Sequence, residues 1–352
     1  MLYTAIDYHR KYSVACTVDA TGTRIREARI EDNEVAAFAA YFQRLPEPSR
    51  VVIEACWNWG WLYDELRELD CVESVVLAHP FKTRLIADAQ IKTDRLDARA
   101  LATLLRGSLV ATVHAPDPAN RARKHVIRQR LFLARVRTMI RNRVHTLVAR
   151  QRGLDRPVFS DQFGKKGLHW LRTVVLPAPD DALLRQDLAA LEQLGTLIKE
   201  LETQIATDNT ADEATCRLQT LPGVGPILAA VMAAEIDGVS RFSRADKLCA
   251  YAGLVPTTHS SGGKVSHGRM LPYSNRWLKW ALIEAAWVAI GCSPYFGGLY
   301  QRHRARGKKA NTAITIIARR MCTIAWQLLH QGRDFMPNPP TLALSPAAPF
   351  KD

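Results

Sequence analysis

The first hundred residues alternate between short apolar runs and segments with helical periodicity. Runs rich in β-branched and aromatic residues predict strands, and the continuous apolar run at 50–54 predicts a buried one. Strong helix formers before Gly107 predict a helix that ends there. Three strands followed by alternating helices and strands indicate an α/β domain over residues 1–115. The predicted strands are 2–7, 12–18, 23–30, 50–54 and 74–79, and the predicted helices are 34–42, 57–69 and 93–106.

The next segment has the pattern of a basic amphipathic helix. Residues 121–152 contain 11 Lys and Arg and no acid, and apolar residues recur among them every three or four positions. Eleven like charges repel one another, so such a helix gains from binding a phosphate backbone. A helix on a membrane surface or a calmodulin target has the same pattern and remains an alternative. The apolar positions are Val126, Leu133, Val136, Ile140, Val144, Leu147 and Val148.

A second long helical pattern follows a short predicted helix at 168–174. Leucine and isoleucine recur with near-heptad spacing over 183–205. The pattern fits a helix that folds back as an intramolecular hairpin, and it fits equally a short coiled coil with another chain. Residues 116–210 are therefore predicted to form a basic, helical, coiled-coil arm.

The last third reads as an apolar helical domain over residues 211–335. The sequence Leu221-Pro222-Gly223-Val224-Gly225-Pro226 predicts a helix-hairpin-helix whose backbone N–H groups at Gly223 and Gly225 face a phosphate. A tight turn that merely needs glycine is the alternative. Residues 251–264 are predicted to be a polar, glycine-bearing loop between two apolar helices, and the proline-rich tail at 336–352 to be extended.

Charge divides the chain into two parts. The net charge is +14, but residues 1–107 carry 14 basic and 16 acidic side chains, and the remainder carries 34 and 18. A basic rear favours a nucleic-acid partner. Seven scattered cysteines without a CxxC pair indicate a reducing, cytoplasmic location. No apolar run approaches the ~18 residues of a membrane span, so no membrane partner is expected.

Four acids are candidates for a metal site. Asp7 and Glu54 each close a predicted strand, and Asp94 and Asp97 are three residues apart on one face of a predicted helix. Four carboxylates in one cleft would need a hard cation such as Mg²⁺. Two such ions about 4 Å apart stabilise both oxygens in phosphodiester chemistry. The alternative is four ordinary surface acids, with Asp94 and Asp97 paired to Arg95 and Arg99.

The acidic segments resemble those of the DEDD transposases of insertion-sequence family 110. The similar blocks are Ala5-Ile6-Asp7, Val52-Ile53-Glu54-Ala55 and, most specifically, Lys92-Thr93-Asp94-Arg95-Leu96-Asp97-Ala98. The resemblance implies a ribonuclease H-like domain similar to the Holliday-junction resolvase RuvC, with Asp7, Glu54, Asp94 and Asp97 catalytic and holding two Mg²⁺. Cys56-Trp57-Asn58-Trp59 departs from the family, where many members have a small, glycine-containing stretch.

The C-terminal third resembles the same family's transposase domain. Its LPGxG, AGLxP and serine–glycine motifs match Leu221–Gly225, Ala252–Pro256 and Ser261-Gly262. The family's nucleophilic serine then corresponds to Ser261, with Ser260 as the alternative. The resemblance implies attack on a DNA phosphodiester, a covalent phosphoserine, a free 3′-OH and a Holliday junction.

The resemblance also implies partners. Family members use an element-encoded bridge RNA and work as dimers that pair into tetramers, with acids and serine meeting within one protomer or between two. Two other functions remain open: a junction nuclease that uses the acids alone, and a non-enzymatic nucleic-acid scaffold. The predicted phosphate contacts are Arg121, Arg123, Lys124, Arg128, Arg130, Arg135, Arg137, Arg141, Arg143, Gly223, Gly225, Lys264, Arg269, Arg276 and Lys279.

Overall fold

The computed structural model describes residues 1–86, 93–261, 264–270 and 274–336. The chain divides into two compact units, Met1–Pro118 and Ala119–Asp352. The predicted proline-rich tail lies, apart from Met336, outside the described residues.

The first unit is a five-stranded mixed sheet with helices on both faces. The strand order is β3-β2-β1-β4-β5, with β1–β2 and β2–β3 antiparallel and β1–β4 and β4–β5 parallel. The elements are β1 (Leu2–Tyr8), β2 (Ser13–Val18), β3 (Arg24–Ile30), α1 (Val35–Phe42), β4 (Ser49–Glu54), α2 (Trp59–Arg67), β5 (Val72–Ala78), α3 (Pro80–Ile86) and α4 (Asp94–Arg106). The α/β prediction is confirmed, and α3 is an additional helix.

The two faces of the sheet bury different helices, because side chains alternate along each strand. Ile6 and Ile53 face one side and pack with Phe38, Leu62 and other residues of α1 and α2. On the opposite face, Ala5, Val14 and Val52 pack with Ala98, Leu101, Ala102 and Leu105 of α4. The next residues on this face, two positions beyond Ala5 in β1 and Val52 in β4, are therefore directed toward α4.

The second unit begins with two long helices joined through a short one. These are α5 (Pro118–Arg150), α6 (Lys165–Thr173) and α7 (Asp180–Asn209). Val144 and Val148 of α5 pack with Leu171 of α6 and Leu184 of α7. Three ion pairs join α5 to α7: Arg130–Glu202, Arg143–Asp187 and Arg150–Asp180. As one residue number rises the other falls, so the two helices run antiparallel within the chain.

The remaining helices share one apolar core. They are α8 (Glu213–Gln219), α9 (Pro226–Ile236), α10 (Ala245–Tyr251), α11 (Arg276–Cys292), α12 (Pro294–Ala305) and α13 (Ala310–Gln331). Residues Ala229–Ile236 of α9 are all buried, as expected of a helix that is apolar all round. Ile127 and Leu131 of α5 join this core, so the apolar stripe of α5 differs from the predicted one at this end.

The predicted polar loop at 251–264 is instead mostly a β-hairpin. Strands β6 (Pro256–Ser261) and β7 (Lys264–Met270) pair antiparallel, with Ser261 opposite Lys264. The polar residues Thr258 to Ser261 pair their backbones across the hairpin, and this pairing needs no apolar alternation. The composition therefore indicated a loop where the chain forms two strands.

Candidate functional site

Asp7 and Glu54 lie at the ends of two neighbouring parallel strands. The last paired positions of β1 and β4 are Ile6 and Ile53, and each acid is the next residue along its strand. By strand alternation both acids follow Ala5 and Val52, the residues that face α4. Parallel strands end at the same edge of a sheet. The predicted placement of Asp7 and Glu54 at this edge therefore agrees with the structure.

The first turn of α4 carries the other two acids. Thr93 caps the helix, and its hydroxyl accepts a hydrogen bond from the backbone N–H of Leu96. Asp94 and Asp97 precede the buried Ala98 and Leu101 by four residues each, so they continue the stripe that faces the sheet. Lys92, the first residue of this motif, lies outside the described residues.

Glu27 of β3 binds Arg95 and Arg99, the alternative partners of these acids. Arg99 donates two hydrogen bonds to the Glu27 carboxylate, one of them at 3.0 Å. Arg95 lies 3.8 Å from the same carboxylate. The hydrogen bonds from Arg99 are the main reason that the pKa of Glu27 is lowered. The alternative in which Arg95 and Arg99 neutralise Asp94 and Asp97 is therefore not what the structure shows.

His9 joins two of the acids. Its Nε2 atom lies 3.1 Å from Oδ2 of Asp7 and 3.5 Å from Oδ2 of Asp94. His9 is not among the residues predicted for the site, although an imidazole two residues beyond a strand-end aspartate is a recognisable signal. One nitrogen thus faces the carboxylate of β1 and the carboxylate of α4.

Tyr12, in the β1–β2 turn, and Asn33, between β3 and α1, hold this arrangement. The Tyr12 hydroxyl donates to Oδ2 of Asp94 at 2.8 Å, and the Arg29 guanidinium lies 3.9 Å from the Tyr12 ring centre. Asn33 donates to the backbone carbonyl of His9 at 2.6 Å. The β3–α1 connection therefore holds the backbone of His9, and the β1–β2 turn supplies a hydrogen-bond donor for Asp94.

The electrostatics of Asp7 are those of a crowded, partly buried acid. Its pKa is raised, chiefly because burial removes the carboxylate from water, and Asp94 and Asp97 add repulsion. His9 opposes the shift but does not cancel it. Such a carboxylate gains from a cation that replaces the lost hydration.

The donor set fits a hard divalent cation. Ligand atoms of Asp7, His9 and Asp94 all lie within 4.8 Å of one another. Carboxylate oxygens are the preferred ligands of Mg²⁺, and Mn²⁺ accepts carboxylate and imidazole donors. The structure thus contains an acidic cluster suited to a divalent metal.

Many of the predicted phosphate-binding arginines on α5 have acidic partners within the chain. Arg130 and Arg143 pair with acids of α7, and Arg123 pairs with Asp212 at 2.6 Å. These acids come from segments distant in sequence, which is why the acid-free stretch at 121–152 gave no sign of them. The like-charge repulsion expected for an isolated helix is therefore relieved at these positions.

Other predicted basic positions are distributed along α5 and α11. Arg137 and Arg141 are partly buried, and burial together with Arg141 and Arg130 lowers the pKa of Arg137. On α11, Arg276 is exposed and Lys279 is partly buried. Arg121 is also partly buried. Lys124 and Arg128 lie beside Ile127, in the part of α5 that joins the apolar core, and Arg135 lies near the middle of the helix.

The two glycines of the predicted hairpin have different surroundings. Gly223 has φ +83°, and a Cβ there would lie 2.3 Å from the backbone oxygen of Ala285 in α11. Gly225 caps α9, and a Cβ there would meet nothing within 4 Å. Gly223 thus has a packing role against α11, and Gly225 leaves the N-terminus of α9 open.

The predicted nucleophile lies at a strand end. Ser261 is the last residue of β6, and Ser260 precedes it. The side chains of Ser260, Ser261, Lys264 and Arg269 lie outside the described part of the structure, as do Gly262 and Gly263.

Two residues that sequence reasoning missed lie beside the basic helix. Glu235, in the apolar helix α9, is 4% exposed and accepts a hydrogen bond from Arg128 at 2.7 Å. Trp277, in α11, has three guanidinium groups close to its ring. An acid at the end of the apolar run 226–236 is the sequence signal that would have revealed Glu235.

Comparison with known proteins matches both units. A family model described as Transposase, for the DEDD transposases of IS110, matches residues 4–151. A second, described as Transposase IS116/IS110/IS902 family, matches residues 216–301. Among the described residues no single helix is long and apolar enough to cross a membrane; only α11 and α12, which meet at 101°, pass such a test as a pair.

Relatives match over most of their length. A probable family 20 transposase of Pseudomonas aeruginosa is 29% identical over 312 residues, or 84% of this chain and 88% of that protein. A putative transposase of Sinorhizobium fredii, y4pF/y4sB, is 27% identical and covers 90% and 81%. The mini-circle putative transposase for IS117 of Streptomyces coelicolor is 28% identical and covers 87% and 88%. The two family models and these relatives agree, and the chain belongs to the IS110 family of DEDD transposases, enzymes of insertion sequences that cut and rejoin DNA.

Proposed function

We propose that this transposase cuts DNA with a metal-bound acidic site and a serine nucleophile. The observation that carries the proposal is the meeting of Asp7 and Asp94 at one atom, Nε2 of His9, on the strand-end edge that also holds Glu54. Asp7, Glu54, Asp94 and Asp97 would hold two Mg²⁺ ions. The strand order β3-β2-β1-β4-β5 supports a ribonuclease H-like, RuvC-like domain.

The metal would supply charge stabilisation for the attacking and leaving oxygens of the phosphodiester. The residues of this chain would position the ions and bind the DNA. Asp7, Glu54, Asp94 and Asp97 fix the position of the ions, and Tyr12 orients Asp94 through its 2.8 Å hydrogen bond. Glu27 keeps Arg95 and Arg99 away from the acids. Arginine side chains of the second unit bind the DNA backbone.

The serine step follows from the resemblance of 252–262 to the family's motif. The Oγ atom of Ser261 attacks the phosphorus, an Oγ–P bond forms, and the bond from phosphorus to the 3′ oxygen breaks. The serine proton ends on that oxygen, which leaves a free 3′-OH and a phosphoserine joined to the other strand segment. The exchanged strands would then form a Holliday junction, with a bridge RNA selecting the DNA sites.

This reaction requires the acids and the serine to reach one phosphate, within a protomer or between protomers. A dimer that pairs into a tetramer provides for exchange between two DNA segments. The proposal therefore includes the meeting of acids and serine at one phosphate and the pairing of dimers into a tetramer.

The test uses labelled DNA that carries the element ends, with the full chain and Mg²⁺ or Mn²⁺. We expect a covalent protein–DNA adduct that survives denaturation and disappears in Ser261→Ala but not in Ser260→Ala. Asp7→Asn and Asp94→Asn should abolish cutting. Cutting that persists without an adduct in Ser261→Ala would identify a junction nuclease. Cutting unaffected by Asp7→Asn and Asp94→Asn would refute the acidic site.

A further inference from the structure

Three arginines from two helices surround one tryptophan. The guanidinium carbons of Arg128 and Arg135 in α5 lie 5.6 and 5.1 Å from the centre of the Trp277 ring. That of Arg276, at the start of α11, lies 5.2 Å from it. All three are within the ~6 Å at which a cation is attracted to an aromatic face. We call Lys124, Arg128, Arg135, Arg276 and Trp277 the Trp277 cluster.

The charge of this cluster is only partly neutralised. Glu235 accepts a hydrogen bond from Arg128, and Lys124 Nζ lies 3.8 Å from its other oxygen. Arg135 and Arg276 are exposed and have no ion pair with an acid in the described residues. Lys124 and Arg128 thus have Glu235 as an acidic partner, and Asp237 adds attraction for Lys124, whereas Arg135 and Arg276 retain their full positive charge. Arg123, Arg130, Arg143 and Arg150, on the same helix, each have an acid of their own.

Hydrogen bonds and core packing fix the position of the Trp277 cluster. Asn275 caps α11 by accepting from the backbone N–H groups of Trp277 and Leu278. The same side chain donates to Glu235 at 2.8 Å and to the Tyr251 hydroxyl at 3.0 Å. Trp277 is partly buried and packs against the apolar core. The cations are thus positioned before any ligand arrives, and this lowers the entropy cost of binding.

A guanidinium that lies over an aromatic ring keeps its N–H groups free at its edges. Those edges match the oxygens of a phosphate, and Arg135 and Arg276, which have no acidic partner among the described residues, supply the excess positive charge that attracts one. Arginine contacts to phosphate carry no sequence information, and an excess of positive charge favours them. We propose that the Trp277 cluster is a phosphate-binding site for the backbone of duplex DNA, independent of base sequence. This inference rests on the DNA substrate of the proposed function and adds the place where its backbone is bound.

The experiment measures binding of the full chain to an unrelated 30-bp DNA duplex as a function of salt. Each lost phosphate contact lowers the slope of log K against log[salt] by about 0.9. Arg135→Gln/Arg276→Gln should therefore lower the slope by about 1.8. The matched control, Arg150→Gln/Arg217→Gln, removes the same charge from arginines that pair with Asp180 and Glu213, and its slope should change by less than about 0.5.

Trp277 is a positioning residue, so its variants separate orientation from charge. Trp277→Leu should weaken binding, Trp277→Phe should largely retain it, and the thermal unfolding of both should be checked in parallel. An unchanged slope in Arg135→Gln/Arg276→Gln, or an equal loss in the control, overturns the site. A loss confined to structured RNA, with duplex DNA unaffected, overturns the DNA assignment. If the unaltered chain bound no DNA at all, the proposed function itself would fail.

Discussion

The Nε2 atom of His9 lies 3.1 Å from Oδ2 of Asp7, so the acid at the end of β1 has an imidazole partner. The pKa of Asp7 is nevertheless raised, because burial and the charges of Asp94 and Asp97 outweigh the attraction of His9. The ionised carboxylate is therefore held at a cost in stability, as is common where a site is arranged for a ligand.

Asp7→Asn should stabilise the metal-free protein at neutral pH. The folded-state pKa of Asp7 lies above 3.8, so the native state loses stability as pH rises from 3.8 through the folded pKa. Removing the charge removes this loss at pH 7, and the two proteins should converge near pH 3. A gain of about 1 kcal/mol in the free energy of unfolding would raise the Tm of the first unit by roughly 4 °C in EDTA. Excess Mn²⁺ should then stabilise the unaltered protein alone.

Asp19→Asn is a control for which we expect a change in Tm of the opposite sign. The pKa of Asp19 is lowered, mainly by the hydrogen bond from the Thr21 hydroxyl. The ionised Asp19 carboxylate stabilises the folded state above pH 3.8, and this contribution is lost as pH falls through the folded pKa. We expect Asp19→Asn to lower the Tm at pH 7. A lower Tm for Asp7→Asn in EDTA would contradict the account of the crowded site.

Gly223→Ala should destabilise the second unit strongly. The new Cβ would lie 2.3 Å from the Ala285 oxygen and 2.8 Å from the Ala289 nitrogen, at a φ of +83°. Overpacking and positive φ together should cost about 3 kcal/mol or more. Gly225→Ala, with open space around the new methyl, should cost about 1 kcal/mol or less. Urea unfolding compares the two, and equal losses would argue against the packing of Gly223 on α11.

Glu235→Ala should lower the free energy of unfolding of the second unit more than Glu202→Ala does. Both acids pair with arginines of α5, but the Glu235 side chain is 5% exposed and that of Glu202 is 39% exposed. Loss of Glu235 leaves Lys124 buried without its carboxylate, which costs about 3–5 kcal/mol. An exposed pair is worth less than about 1 kcal/mol. Lys124→Met should recover part of the Glu235→Ala loss, which a double-mutant cycle in urea measures.

The Arg143–Asp187 pair tests whether α5 and α7 associate within one chain. Arg143→Glu places a negative charge beside Asp187, whose side chain is 8% exposed, and should cost about 2 kcal/mol. The charge swap Arg143→Glu/Asp187→Arg should recover most of that loss in thermal unfolding, independently of protein concentration. Recovery that depended on concentration would favour pairing between chains.

The sequence was most informative where local chemistry determines structure. The strand ends at Asp7 and Glu54 and the paired acids on α4 follow from runs of six to 13 residues, whose periodicity and capping are local. The antiparallel return of α7 along α5 was one of two equal alternatives, because the leucine spacing is the same for both. The ion pairs of the chain support the intramolecular one.

What the sequence did not predict depends on contacts between distant segments. Glu27 reaches Arg99 across 72 positions, and Glu235 reaches Arg128 across 107. Such pairings leave no periodic signal, so the arginines near the acids and those of α5 all looked equally available. The β6–β7 hairpin was missed for a different reason: its polar composition is that of a loop, and backbone pairing alone makes it a sheet.

The ion pairs that tie α5 to α7 also constrain how the arm can change in evolution. Each residue gained in one helix between Arg130 and Arg150 shifts every later pair out of register unless the other helix gains one as well. Lineages of this transposase should therefore lengthen or shorten the arm through matched insertions, 30 to 72 residues apart in the gene product.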